Sequence, residues 1–588
     1  MGVTHERSTL RLPPRSSASL NSYFAAFPAA LWMRIAGADR VTLSGEVTGS
    51  ASVRVSVRSA SGVKVSSLKV EDSAFEHETP LSHGDEWVWA EIVTTDRDAV
   101  VRELGWELNE AEVGLAAVCI TTHNRPADCL KVLESLATDD TLEYLDRVIV
   151  VDQGSTRLRD AAGFSDVAAS LGERLRLIEQ ANLGGSGGFS RGMLEAASAG
   201  ADYAIVLDDD VRLEPESVRR VIALAARSEN PVIVGAHMLD LAHPTRLHSW
   251  GEQVERSTFE WAPVAPDLCD VDLTVQDVTE MPADAEVQFN GWWMCLIPTS
   301  AVRMLGAALP FFIKWDDTEF SLRAAAAGFT TVTMPGAALW HVAWTGKDDG
   351  LDWQAYFQLR NRLVTALLHS DIRRRGSILR ATFALDVNHV LCMQYGSAAA
   401  RRLALSDVLI GPESLEDTLA TRIGELTDLL ARANQVVVAA DELPRPATTS
   451  APPRPHGLLS SAGRLLRVAA HQIRRPGRST PLGVDTHLTR AEGKWWALGL
   501  LDSATVESAT GKGAFVSRRS RRSAISLLRD AVILRVRLWW AWPALSRAYR
   551  ADAPRLASAD AWSQRFDMSG RHRPHGQGEG DWRSPSPI

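Results

Sequence analysis

Three consecutive aspartates, Asp208-Asp209-Asp210, close an apolar run at residues 204–207. Carboxylates at a strand end are hard oxygen ligands of the kind that Mg2+ and Mn2+ take. In an extended chain alternate residues share a face, so Asp208 and Asp210 point one way while Asp209 turns aside. A cation held there would neutralise charge developing on a nucleoside diphosphate leaving group. Taken alone, the triplet serves equally well as a cap for a helix starting near Pro215. An EF-hand is excluded, because its Gly and closing Glu are absent at the required spacing. A second acidic group, Trp315-Asp316-Asp317-Thr318-Glu319, supplies carboxylates able to take a proton from an attacking hydroxyl, or to cap the next helix. His341 follows Leu339-Trp340; an imidazole completes such a metal set, although a lone His among apolar residues is more often a core residue.

Gly291-Trp292-Trp293 brings indole faces that stack on sugar C–H surfaces and N–H groups that donate to hydroxyls. The chain has 19 tryptophans, and Trp261, Trp292, Trp293, Trp315, Trp340 and Trp344 fall in the same central region; some must be core and an exposed minority a platform. In Asn182-Leu183-Gly184-Gly185-Ser186-Gly187-Gly188 the glycines let backbone approach a nucleotide closely. The run is no dinucleotide fingerprint, because Ser190 stands where a third Gly is needed, and it lacks the lysine of a P-loop.

The elements that must position these residues follow from the texture around them. Apolar runs at 115–121, 148–151, 175–178 and 203–207 alternate with helical patterns, which predicts a mostly parallel, Rossmann-like α/β sheet over residues 111–370. Each polar motif then lies at the C-terminal end of a strand, where open α/β sheets bind ligands. Residues 21–110 alternate β-formers between Gly, Ser and Asp, as in 53–57 and 87–89, and predict an N-terminal β-sandwich. Residues 1–20, rich in Ser, Arg and Pro, are expected to be disordered. Residues 371–442 read as helical, 443–456 as a Pro-rich linker, and 457–588 as a basic, mostly helical region with short strands at 495–501 and 514–516.

A chain of 588 residues exceeds one core, and about three domains are expected. Residues 451–588 carry 23 Lys+Arg against 10 Asp+Glu, a net +13, whereas the remainder is net −22. A basic end on an acidic body suits either a solvated helix pair or an anionic membrane surface; nucleic acid is disfavoured, because no recognition motif accompanies the charge. The five cysteines, Cys119, Cys129, Cys269, Cys295 and Cys392, form neither close pairs nor zinc spacing, which fits a reducing cytoplasm. No signal peptide and no spanning segment is read, so a soluble or peripheral protein is expected.

In this order the strand, Asp-Gln-Gly at 152–154, Asn-Leu-Gly-Gly, Asp-Asp-Asp, Trp-Asp-Asp and later His resemble the GT-A glycosyltransferases of family 2. Phe289-Asn290-Gly291-Trp292-Trp293, Phe312-Ile313-Lys314-Trp315-Asp316-Asp317, Asp352-Trp353-Gln354-Ala355-Tyr356-Phe357 and Tyr23-Phe24-Ala25-Ala26-Phe27-Pro28-Ala29 resemble the actinobacterial galactofuranosyltransferases that polymerise cell-wall galactan. The resemblance implies a UDP-galactofuranose donor, an inverting single displacement, and a Mn2+ or Mg2+ ion held by Asp208, Asp210 and His341. It implies donor contacts from Arg125, Gln153 and Asn182, beside Gly184, Gly185, Asp208 and Asp209. Asp317 would be the general base and Asp316 its neighbour orienting the acceptor, with Glu252, Trp261, Trp292, Trp293 and Trp344 lining the acceptor site. It further implies a processive enzyme building alternating β-(1→5) and β-(1→6) linkages on a lipid-linked acceptor, a homotetramer, and peripheral attachment to the cytoplasmic face of the membrane. Two positions depart from the family pattern: His123 replaces a Phe, and Gln358 replaces a His associated with the acceptor site, which bears on linkage and chain length.

Two other readings stand beside this one. A family 2 transferase with a different nucleotide-sugar donor would keep the same metal and base residues. A non-catalytic carbohydrate-binding scaffold would predict their erosion, and Asp208, Asp210, His341 and Asp317 are all present.

Overall fold

The computed structural model describes residues 4–6, 8–109, 111–138, 142–343, 348, 350–370, 376–448, 451–474, 483–509, 511 and 513–571. Trp344, expected in the acceptor site, lies outside the described residues.

The N-terminal region is a seven-stranded antiparallel sheet dominated by the hairpin Arg40–Ser59 and Gly62–Pro80. On its other edge, Arg40–Ser59 pairs first with Ala99–Glu107 and then with Asp85–Val93, so one long strand serves two partners. Disorder is the expectation for residues 1–20, but the described residues there include paired strands. Thr9–Leu12 pairs with Ala99–Glu107 and Ser17–Ser19 with Asp85–Val93. Leu10, Leu12 and Ala18 bury their side chains, and that apolar gain orders a segment whose composition is otherwise polar.

The central sheet begins with four parallel strands, ordered Leu175–Glu179, Leu145–Asp152, Ala116–Thr122, Tyr203–Asp208. Met294–Pro298 then inserts antiparallel between Tyr203–Asp208 and Val232–Asp240, and Thr330–His341 runs parallel to the latter. Successive residues face opposite sides of a strand. Val118, Val150 and Ile205 accordingly join a core shared with the N-terminal sheet, while Cys119, Val151 and Val206 face a second core shared with the C-terminal helices. Burial on both faces explains why these strands are continuous apolar runs.

Helices Gln354–His369, Gly376–Leu391, Tyr395–Ile410 and the 37-residue Arg521–Ala557 pack over that second core. The expected linker is more structured than its prolines suggest. Arg445–Thr448 pairs with Gly483–Leu488 in a five-stranded sheet that also holds Val437–Ala439, Ser503–Glu507 and Gly513–Arg518. Proline is tolerated at such a sheet edge. Residues 495–498, expected in a strand, form the short helix Trp495–Leu498, because Ala497 and Leu498 bury on one side of a turn.

Candidate active site

Strand register gathers the motifs. Asp208 pairs with Thr121, Thr122 with Asp152, and Asp152 with Glu179, so the polar ends of four strands form one row. The chain leaving Asp210 pairs antiparallel with the last strand, Arg212 opposite Trp340, which delivers His341 to the aspartates. His341 Nε2 lies 3.1 Å from Asp210 Oδ1 and 3.8 Å from Asp208 Oδ2. Its Nδ1 donates to the Val342 carbonyl at 2.9 Å, which fixes the tautomer and leaves Nε2 facing the carboxylates. One ligand atom from each of Asp208, Asp210 and His341 falls within 4.8 Å of the others, a donor set that fits a divalent cation. Asp209 is turned inward, and burial, reinforced by the Asp210 charge, raises its pKa well above the ordinary range. Arg125 forms an ion pair with Asp210, placing a cation at the same carboxylates.

The glycine turn is braced from below. Gln153 Oε1 accepts from Leu183 N at 2.9 Å and its Nε2 donates to the Gly184 carbonyl at 2.9 Å. Asn182 Oδ1 accepts from Gly184 N at 2.9 Å. These two expected donor contacts therefore shape the turn. Gly184 has φ +71°, and a Cβ there would lie 2.0 Å from the Phe312 carbonyl oxygen, so only glycine fits. A Cβ on Gly185 would lie 3.7 Å from Asp316 Oδ2, which puts the turn beside the second acidic group.

Helix Asp316–Ala326 starts directly at the acidic pair, after Phe312, Lys314 and Trp315 at φ of 70°, 66° and 73°. Asp317 Oδ1 accepts from Thr318 N at 2.6 Å and Thr318 Oγ1 at 3.1 Å. Burial pushes Asp317 up to about 6, opposed by those hydrogen bonds and the Lys314 charge. Burial and the Asp317 charge push Asp316 higher, to about 8. Two close carboxylates in a dry site cannot both ionise easily. Burial and mutual repulsion therefore favour a shared proton on the pair.

Glu252 is a third buried carboxylate, close enough to Asp317 to feel its charge. Ser249 Oγ donates to its Oε1 at 2.6 Å, and burial together with the Asp317 charge pushes it up to about 7. Trp261 stacks on Trp315 with centroids 5.0 Å apart, while Trp292 packs edge-on against Phe189 and Phe320. The buried indole N–H groups of Trp261 and Trp292 have no hydrogen-bond partner among the described residues. Trp293 differs: its N–H goes to the Ala236 carbonyl at 2.8 Å, and it belongs to the core on the opposite face of the sheet. Sequence reasoning missed Ser186, Arg360 and Asn361, which grip the turn before Asp316. Helix Gln354–His369 carries several other polar residues, so nothing in the sequence set Arg360 and Asn361 apart.

An α/β sheet whose strand ends hold a candidate metal-ligand cluster, beside a buried carboxylate pair at a helix start, suits transfer from a nucleoside diphosphate. Residues 114–366 match the family model described as glycosyltransferase like family 2, and the protein is a glycosyltransferase. Residues 2–109 match the model for galactofuranosyltransferase 2 N-terminal, and residues 378–568 that for galactofuranosyltransferase-2, domain 3. The chain is 37% identical over 591 residues to galactofuranosyltransferase GlfT2 of Mycolicibacterium smegmatis, covering 95% of this chain and 90% of the relative. It is 36% identical to GlfT2 of Mycobacterium tuberculosis, covering 95% and 91%. The chain belongs to the GlfT2 galactofuranosyltransferase family. Among solved structures, GalNAc-T7 with UDP, GalNAc and Mn2+ aligns at 14% identity and a TM-score of 0.33, over 45% of this chain and 54% of that one.

Proposed function

We propose that this enzyme transfers galactofuranose from UDP-galactofuranose to a growing, lipid-linked galactan, processively and with inversion, forming β-(1→5) and β-(1→6) linkages. The observation that carries the reading is the approach of the Gly184-Gly185 turn to Asp316, with the Asp208, Asp210 and His341 cluster on the same row of strand ends. Arg125 binds the donor's diphosphate by charge. Asp317 takes the proton of the acceptor hydroxyl as its oxygen bonds to the anomeric carbon and the bond to UDP breaks. Asp316, protonated, donates a hydrogen bond that orients the acceptor beside Glu252, and the Trp261 and Trp292 N–H groups meet further hydroxyls. A bound Mn2+ or Mg2+ supplies charge neutralisation for the departing diphosphate. Buried stacking around Trp315 excludes water, which favours transfer over hydrolysis.

Further expectations belong to the same reading. Strand Arg40–Ser59 changes partner midway, which supports a β-sandwich for the N-terminal domain. No described helix is long and apolar enough to cross a membrane. Helix Gly457–Ile473 exposes Leu458, Leu459, Leu466 and Ile473 within the basic region, a pattern that supports peripheral attachment to an anionic membrane at the cytoplasmic face. A homotetramer is the expected assembly.

The test is sugar transfer from UDP-galactofuranose to a synthetic galactofuranosyl disaccharide with a lipid-like tail, with and without Mn2+, read by mass spectrometry. A metal-dependent ladder of added hexoses is expected. Absence of product with UDP still bound would sink the donor assignment.

A further inference from the structure

The turn that carries the catalytic carboxylates is in a conformation its residues do not favour. Phe312, Lys314 and Trp315 all have positive φ, and none is glycine. Single non-glycine residues in this region cost on the order of 1 kcal/mol each, and they persist only where surrounding structure dictates them. Three such residues within four consecutive positions therefore call for an external restraint.

That restraint is visible in helix Gln354–His369. Asn361 Nδ2 faces three carbonyls of the turn, Phe311 at 3.1 Å, Ile313 at 2.9 Å and Lys314 at 2.9 Å. The carboxamide cannot flip usefully, because its Oδ1 accepts from Arg360 Nε at 2.8 Å. Arg360 itself donates through Nη2 to the Phe311 carbonyl at 2.7 Å. Both side chains are fully buried. Arg360 is in turn seated on the helical region: Nη1 donates to Thr418 Oγ1 at 3.1 Å and to the Tyr356 hydroxyl at 3.3 Å. Tyr356 donates to Asp407, which pairs with Arg422 at 2.8 Å.

From the opposite side, Ser186 Oγ accepts from Phe312 N at 2.8 Å, and Ser186 N donates to the Phe312 carbonyl at 3.1 Å. The turn is thus bonded on one flank to the glycine segment and on the other to the Arg360–Asn361 pair. None of these groups touches the proposed reacting atoms. We propose that Arg360 and Asn361 are positioning residues, which hold the 311–315 turn, and with it Asp316 and Asp317, against the glycine turn at 184–186. Through them the C-terminal helices, remote from substrate, set the geometry of the reaction. The inference rests on the catalytic reading of Asp316 and Asp317 given above.

The full-length chain tests it with Asn361→Asp, which keeps the volume but replaces a donor facing three carbonyls by an acceptor. Misplacement of a catalytic group by about 1 Å costs roughly 100-fold in rate. The expected result is a kcat lowered about 100-fold with donor and acceptor KM, and calorimetric UDP affinity in Mn2+, held within about threefold. Arg360→Lys, which retains the buried charge without the forked donor, should show the same split and covers the case in which the first variant does not fold. A kcat near wild type, or equal losses of kcat and UDP binding, would overturn the proposal. If the wild-type chain itself does not use UDP-galactofuranose, the donor reading fails and the clamp is still judged by hydrogen exchange. Amides 312–318 must then exchange faster in Asn361→Asp with the rest unchanged, and unaltered exchange there refutes it.

Discussion

The indole N–H of Trp315 donates to Oε1 of Gln358 at 3.0 Å, and this bond ties the residue before the Asp316–Asp317 pair to helix Gln354–His369. Trp315 is 2% exposed and stacked on Trp261, so its N–H has little access to water. Gln358→Leu would strand that donor at a cost of about 1–3 kcal/mol. Urea unfolding should show the loss. On the reading that this position bears on the acceptor, Gln358→His should also change the product-length distribution seen by mass spectrometry.

Asp317→Ala tests the proposed proton acceptor. Turnover should fall by about 100- to 10,000-fold, while UDP affinity in Mn2+ stays within about twofold by calorimetry. Near-normal turnover would show that another group is the base.

The raised position of Asp317, about 6, sets the sign of the pH dependence. The base works only when ionised, so kcat should drop as pH falls through about 6, roughly tenfold per unit below it. Stability runs the other way. Between the ordinary carboxylate range and 6 the folded state holds the proton more tightly than the unfolded state, so this group's contribution declines as pH rises. A pH–rate profile flat to pH 4.5 would contradict the assignment.

Removing the metal should abolish transfer. In Asp210→Ala and His341→Ala, titration of UDP with and without Mn2+ should show the metal-dependent increment in affinity shrinking at least about tenfold, as for lost ligand contacts. If the increment survives in both variants, the cation lies elsewhere.

The apolar row on helix Gly457–Ile473 predicts membrane behaviour. A Leu458→Asp, Leu459→Asp double variant should bind phosphatidylglycerol vesicles at least about tenfold more weakly, since two leucines each forfeit more than about 1 kcal/mol of burial. Transfer to a water-soluble disaccharide should not change. Vesicle binding equal to wild type would place attachment on another surface.

Much of this was legible in the chain itself. Buried parallel strands are apolar runs whose ends carry polar motifs, so the order of Asp152, Asn182, Asp208, Asp317 and His341 along the sequence already pointed to a ligand-binding edge and a metal. Other features were not. Strand Gly62–Pro80 lacks an apolar face because most of it is exposed, and its order comes from pairing with Arg40–Ser59. Trp292 and Trp293 are adjacent and identical in type; only the tertiary structure decides that they join cores on opposite faces of the sheet, with the Trp293 N–H bonded to the Ala236 carbonyl and that of Trp292 without a partner among the described residues. The roles of Ser186, Arg360 and Asn361 depend on contacts across 47 to 126 residues of chain, made to backbone carbonyls and amides that carry no sequence signal. Residue type and spacing determined which chemistry this protein can perform. Tertiary structure decided where the reacting groups are held, because the restraint acts through backbone atoms common to every residue.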